Sequence, residues 1–372
     1  MKYKIPFIKP DFPDAEDVAA DYARILEANW FTNFGPFERE FAKEVAAYVG
    51  PGYFASTFSS ATSGLLASIL AVLGRGDGSR YVIMPSFTFA AGAEALIWCG
   101  YKPLFIDIEN GGLHMDLTAA QTALNDPEFD NKIAGILFCN AFGVGTVNIE
   151  AWESLAEEAG LPLIIDSAAG FGSLYSETRK VGSAGRCEIF SFHATKPFAI
   201  GEGGAVVSRD EALIKSLNSI QNFGFVDKSN TEQLGFNGKL QEFNAAIGLR
   251  QFKRFDSILQ NRRAVLEKYR SGLNPEAFRF QQNAENASLC FAAALVQDAQ
   301  KRDGYLASLQ AAGVEAKTYY SPSLHKQTYF KTAEKHAALT ATELVDDSVL
   351  SLPIHDNMRE EDIDLIINVL NG

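Results

Sequence analysis

Between residues 50 and 210 the chain alternates short apolar or β-branched runs with longer stretches of helical spacing. The runs are "YFASTFSS", "YVIMP", "KPLFIDI", "IAGILFCNAF", "LPLIIDSAA", "CEIFSFH" and "GGAVVS". A strand with one wet face alternates apolar and polar residues, whereas a strand covered on both faces is apolar throughout. Near-continuous runs separated by helices therefore predict a mainly parallel sheet with helices on both sides, an α/β domain. The crossover at residues 150–160, "EAWESLAEEAG", follows that logic: an acidic, alanine-rich helix ends at glycine and "LPLIIDS" opens the next buried strand.

From Gln241 to Leu273, apolar residues Phe243, Ala246, Ile247, Phe252, Phe255, Leu259 and Leu266 recur at helical spacing with charges between them. One or two long helices are predicted there, joining the large unit to a smaller one. A strand in "SLCFAAALV", a helix with "GVEAKTYYSP", then "VLSLPI" and a closing helix in "REEDIDLIINVL" predict a small α+β domain. The expected division is 1–250 for the large domain and 251–372 for the small one. No internal repeat or low-complexity tract interrupts it.

Length and charge narrow the picture. A chain of 372 residues is long enough for two domains sharing a large core. A net charge of -13 argues against broad contact with nucleic acid or an anionic membrane, so an anionic ligand needs a local pocket. Cys99, Cys139, Cys187 and Cys290 stand singly in apolar stretches without a CxxC, which predicts reduced, buried thiols and neither a disulfide framework nor a zinc site. The first residues, "MKYKIPFIKPDFPDAED", carry no apolar targeting core, and no run approaches the roughly 18 apolar residues of a membrane span. A cytoplasmic location is expected.

Three strand ends carry chemistry. Lys196 follows "FSFH" and precedes "GEGG", near the sheet edge where ligands of open α/β folds collect. A lone loop lysine is ordinarily a solvated charge. Asp166 leaves the apolar run "LIID", where a carboxylate needs a cationic partner or serves as a helix cap. In "FSSATSGL", residues Ser60 to Gly64 place hydroxyls and free amides at a helix N-terminus, which suits an anion. A lysine, a buried acid and an anion loop on one sheet are the parts of a pyridoxal phosphate site: amine for a covalent bond, acid for the ring nitrogen, loop for the phosphate.

With these residues in place, the chain resembles the DegT-type sugar aminotransferases of the aspartate-aminotransferase-like group, pyridoxal phosphate fold type I. The resemblance runs through "NWFTNFGPFEREFAKEVAAYVG", "PSFTFAA", "FIDIENGGLHMDL", "SFHATKPFAIGEGGAVV", "GFNGKLQEFNAAIGLRQF", "YYSPSLHKQTYF" and "LSLPIH". It implies a large domain with a mainly parallel seven-stranded sheet and a small C-terminal α+β domain. It also implies that Lys196 bonds covalently to the cofactor and moves the proton, that Asp166 faces the pyridine nitrogen, and that Phe89 stacks on the ring. Ala61, Thr62 and Ser191 match the phosphate contacts. Asn237 matches a residue that reaches the phosphate of the neighbouring subunit, so a homodimer with shared active sites is implied; the residues alone also fit a turn asparagine. Lys239 stands where the family usually has arginine. His193 is a candidate to orient the lysine or touch substrate, with strand-end packing as its alternative; Tyr320 and His325 are substrate-side candidates, with a surface loop as the alternative for His325.

The main departure is "DSAAG". The family commonly has glutamine or histidine where this chain has Ala169, and Asn140, ending "GILFCN", is the candidate to replace that hydrogen bond to the cofactor's phenolic oxygen. The implied reaction is transamination in aminosugar biosynthesis, from glutamate to a keto group on a nucleotide-linked deoxysugar, with a cyclitol ketone as another possible acceptor. A dehydratase of the same fold has histidine in place of Lys196. A non-catalytic protein that binds pyridoxal phosphate or a sugar nucleotide is the remaining alternative.

Overall fold

The computed structural model describes residues 3–227, 230–356 and 358–372. In chain order the strands are β1 Phe54–Phe58, β2 Tyr81–Pro85, β3 Lys102–Ile106, β4 Ile133–Cys139, β5 Leu163–Asp166, β6 Leu174–Ser176, β7 Arg179–Lys180, β8 Cys187–Ser191, β9 Gly204–Ser208, β10 Phe278–Phe280, β11 Phe291–Val296, β12 Glu334–Lys335 and β13 Val349–Pro353. The large sheet runs β1-β9-β8-β5-β4-β2-β3-β12, and within it only β9 opposes the rest. All seven predicted strands are present. The expected seven-stranded sheet is corrected to eight, because Glu334 and Lys335 return from the C-terminal region to pair with Leu104 and Phe105. They cover an edge of β3 that would otherwise stay open.

Strand alternation divides the core in two. Phe138, Ile165 and Phe190 face a layer that includes Trp152, Phe171, Phe198 and Phe255. Leu137, Ile164, Ile189 and Val206 face the other, with Leu65, Ile69, Leu96 and Leu217 from the helices Ala61–Leu73, Ala91–Trp98 and Glu211–Ile220. Helices on both sides explain why the strands read as unbroken apolar runs.

The segment 241–273 forms two helices, Glu242–Phe252 and Phe255–Gly272. Phe255, Ile258 and Leu259 enter the large core, whereas Val265, Leu266 and Tyr269 enter the core of the small antiparallel sheet β10-β11-β13. One helix thus joins both units. The N-terminal segment also crosses: Ile5 pairs with Val314 and lies in the small core, and Phe7 packs against Phe291 and Tyr319. None of the helices among the described residues is long and apolar enough to cross a membrane.

Candidate functional site

Asp166 ends β5 and pairs with Cys139 on one side and Ile189 on the other. Alternation puts its side chain on the same face as Ile164, toward the helices Ala61–Leu73 and Ala91–Trp98. It is 6% exposed. Burial pushes its carboxyl up, opposed by the Ala168 N–H that donates to Oδ1 at 3.0 Å and by the charge of Lys196. The structure therefore brings Lys196 and Asp166 to one site. Lys196 sits in the turn after β8, its N–H donating to the His193 carbonyl at 2.9 Å, and is half-buried.

The anion loop lies beside them. Ser60 caps the helix, its Oγ accepting from the Ser63 N–H at 3.1 Å, and its carbonyl accepts from Gly64. The amides of Ala61 and Thr62, in the first turn, have no intrahelical acceptor. Helix and strand approach closely at Gly204: a Cβ there would lie 2.6 Å from the Ala61 nitrogen. Phe58 and Ser191 both pair with Gly204, so the loop, the strand before Lys196 and the strand after it meet on one rung. Ser191 is buried, with its Oγ accepting from the His193 N–H.

Phe89 is 64% exposed, which rules out a core role and leaves an aromatic face open at the sheet edge. Tyr320 reaches it from the C-terminal part of the chain, with its ring centroid 6.2 Å from Phe89 and 4.8 Å from the stacked Phe142. Burial, then Cys139, Cys290 and Asp166, hold the Tyr320 phenol well above its usual range, so Tyr320 and Asp166 share a neighbourhood. Cys139 was expected to be buried; it is half-buried, accepts from Thr88 Oγ1 at 3.1 Å, and lies beside Asp166. Thr88 and Cys139 were not identified from sequence, although the parity of β4 and β5 would have selected Cys139 once their register was known.

One expectation is corrected, and the remaining candidates are located as follows. Asn140 does not turn toward Asp166. It follows Cys139, so it faces the opposite side of the sheet, where Nδ2 donates to Ser167 Oγ at 2.8 Å and Tyr175 Oη at 2.9 Å. It is buried and its Oδ1 accepts from the Thr146 N–H. His325 is also committed within the chain: Nδ1 lies 2.8 Å from Ser86 Oγ, and Nε2 lies 3.4 Å from Glu343. His193 Nδ1 accepts from the Thr195 N–H and contacts its hydroxyl, with Nε2 3.6 Å from Glu202. That closes the Lys196 turn. Ala169 is buried with Phe87, Ala141 and Phe142. Asn237 is exposed, next to Gly238, whose carbonyl accepts from the Ser59 N–H of the anion loop. Lys239 donates to Asn222 Oδ1 at 2.9 Å.

The donor set fits pyridoxal phosphate. Two open helix amides suit the phosphate, the glycine at 204 keeps them accessible, an exposed ring suits stacking, and a buried acid near a lysine suits a basic ring nitrogen and a carbonyl. Among the described residues there is no cluster of side chains able to hold a metal.

The model of the DegT/DnrJ/EryC1/StrS aminotransferase family matches residues 14–371. Protein Rv3402c of Mycobacterium tuberculosis (strain ATCC 25618 / H37Rv) is 47% identical over 367 residues, 98% of this chain and 89% of that protein. The Escherichia coli dTDP-4-amino-4,6-dideoxy-D-glucose transaminase is 26% identical over 375 residues, 99% of this chain and 98% of its own. The crystal structure of DesI with its TDP-sugar product superposes with a TM-score of 0.87 at 30% identity, covering 97% of this chain and 91% of DesI.

Proposed function

The chain belongs to the DegT/DnrJ/EryC1/StrS aminotransferase family, and we propose that it transfers an amino group from glutamate to a keto carbon of a nucleotide-linked deoxysugar. It is a pyridoxal phosphate-dependent aminotransferase. The observation that carries the proposal is the convergence of Lys196, buried Asp166 and the open helix amides at one sheet edge. The substrate class rests on the named activities of relatives such as the Escherichia coli transaminase.

Bound pyridoxal phosphate supplies a carbonyl that takes up amino groups and a ring that withdraws electrons. Lys196 is the residue that attaches it, and its amine can take and return a proton at the substrate carbon bearing nitrogen. Asp166 holds positive charge at the ring nitrogen, while Ala61, Thr62 and Ser191 hold the phosphate. Phe89 would stack on the ring, and Tyr320 would confine the substrate side. His193 orients the Lys196 turn through Thr195 and Glu202.

A second copy of the chain completes the site in this reading. Phe12, Tyr22, Phe31 and Phe243 are exposed and line an apolar hollow of about 740 Å³ with Val18 and Ile247. Such a patch on a soluble domain marks an interaction surface. Asn237, exposed beside the anion loop, would reach the partner's phosphate in this reading.

The experiment follows the visible absorbance of the purified protein. Glutamate should bleach it, and a panel of nucleotide 4-keto and 3-keto sugars should include one that restores it. No response to glutamate would overturn transamination in favour of a cofactor-binding protein. Restoration by a cyclitol ketone alone would overturn the nucleotide-sugar assignment.

A further inference from the structure

We propose that Glu188 is a positioning residue for Asp166, acting from the far face of the sheet through Ser167 and Asn140. The inference rests on Asp166 as the partner of the cofactor's ring nitrogen.

Glu188 is 0% exposed, in β8, where it pairs with Ile165 and so points away from Asp166. It closes a network with three other side chains: Asn140 Nδ2 donates to Ser167 Oγ and Tyr175 Oη, and both hydroxyls donate to Glu188 Oε2, at 2.7 and 2.9 Å. Both ends are fixed by the backbone. The Thr146 N–H can only donate, which assigns Asn140 Oδ1 to it and Nδ2 to the hydroxyls; the Ala184 N–H donates to Glu188 Oε1 at 2.8 Å. Each hydroxyl has one proton, and each is directed at the carboxylate. The network is complete only with Glu188 ionised, and one more proton would force a hydroxyl to turn and abandon a bond.

Two members of this network touch the backbone of Asp166. The Asn140 N–H donates to the Asp166 carbonyl at 3.0 Å, and Ser167 is the next residue. Holding Ser167 on the far face sends Asp166 to the near face, because adjacent strand side chains alternate. The charged and titratable groups around Glu188 are Tyr175 of β6, Arg179 of β7 with its guanidinium 5.7 Å from the Tyr175 ring, and Cys187 on its own strand. Arg179 is engaged by Glu150 and Glu153 of the helix Ile149–Glu158. Burial pushes the Glu188 carboxyl up to about 7.

The test titrates apoprotein with pyridoxal phosphate across pH 6 to 8 (about one unit either side of neutrality). Wild-type affinity should weaken as Glu188 takes up a proton, and Glu188→Gln or Asn140→Asp should each weaken binding about tenfold at high pH. The double variant Asn140→Asp/Glu188→Gln should recover affinity to within about twofold. In it the bonds among the side chains are remade in the opposite direction: the new amide donates to both hydroxyls, and the new carboxylate accepts from them while still accepting from the Thr146 N–H. A second pair guards against poor folding. Ser167→Ala should weaken binding, whereas Tyr175→Phe, which removes as many bonds to Glu188, should leave it near wild type. Equal effects of that pair, or a double variant no better than its parents, would overturn the proposal. Wild-type apoprotein that never binds pyridoxal phosphate would instead overturn the functional reading above.

Discussion

Asp166 is a side chain whose burial costs the apoprotein stability. Its carboxyl is raised by burial, so between the unfolded and folded values the native state holds more protons than the unfolded chain. Stability of the apoprotein therefore falls as pH rises through that window and is greatest below it. Asp166→Asn removes the buried charge; its apoprotein should melt higher than wild type at pH 8 (about four units above an ordinary carboxyl), yet lose turnover, which calorimetry and a coupled assay would check. Lys196→Ala should remove the visible absorbance and lower turnover by at least about 10²- to 10⁴-fold; normal activity would refute its role. Lys196, Asp166 and the Ser60–Gly64 loop were legible because each breaks a local rule, a charge or a small polar run ending a buried strand. Asn140 was misread for a reason also at this scale: facing Asp166 requires matching parity, and the register that pairs Asp166 with Cys139 comes from the fold.

Elements hold these residues through a few close approaches. Gly204→Ala should push β9 from the helix Ala61–Leu73, since its Cβ would fall 2.6 Å from the Ala61 nitrogen. Cofactor affinity should drop with little change in helix content, readable by fluorescence titration and circular dichroism. Glu242 fixes another element: its carboxylate accepts from the Phe37 and Glu38 amides at 2.9 Å each, capping the helix Pro36–Val49. Glu242→Ala should cost about 1–2 kcal/mol by chemical denaturation. The seven longer strands were readable because burial on both faces writes an apolar run. The two-residue β12 writes no such signal, and the break between helices at Lys253 and Arg254 carries neither glycine nor proline.

At the scale of the whole molecule, the chain passes back and forth between the two cores: Phe255, Ile258 and Leu259, beyond the expected division at 250/251, enter the large one. Ile5 lies in the small core and Glu334–Lys335 in the large sheet, pairings that join residues hundreds of positions apart and leave no local pattern to read. The apolar hollow around Tyr22 and Phe243 gives a molecular-scale prediction: Tyr22→Asp/Phe243→Asp should shift the protein to monomer in light scattering and lower turnover. A monomer of full activity would show that the site is complete within one chain. The rung of Phe58, Gly204 and Ser191 has a mechanical meaning too. The loop proposed to hold the phosphate and the turn that carries Lys196 are fastened to the same three backbone positions, so a displacement of the sheet there would carry both together and leave the gap between them unchanged.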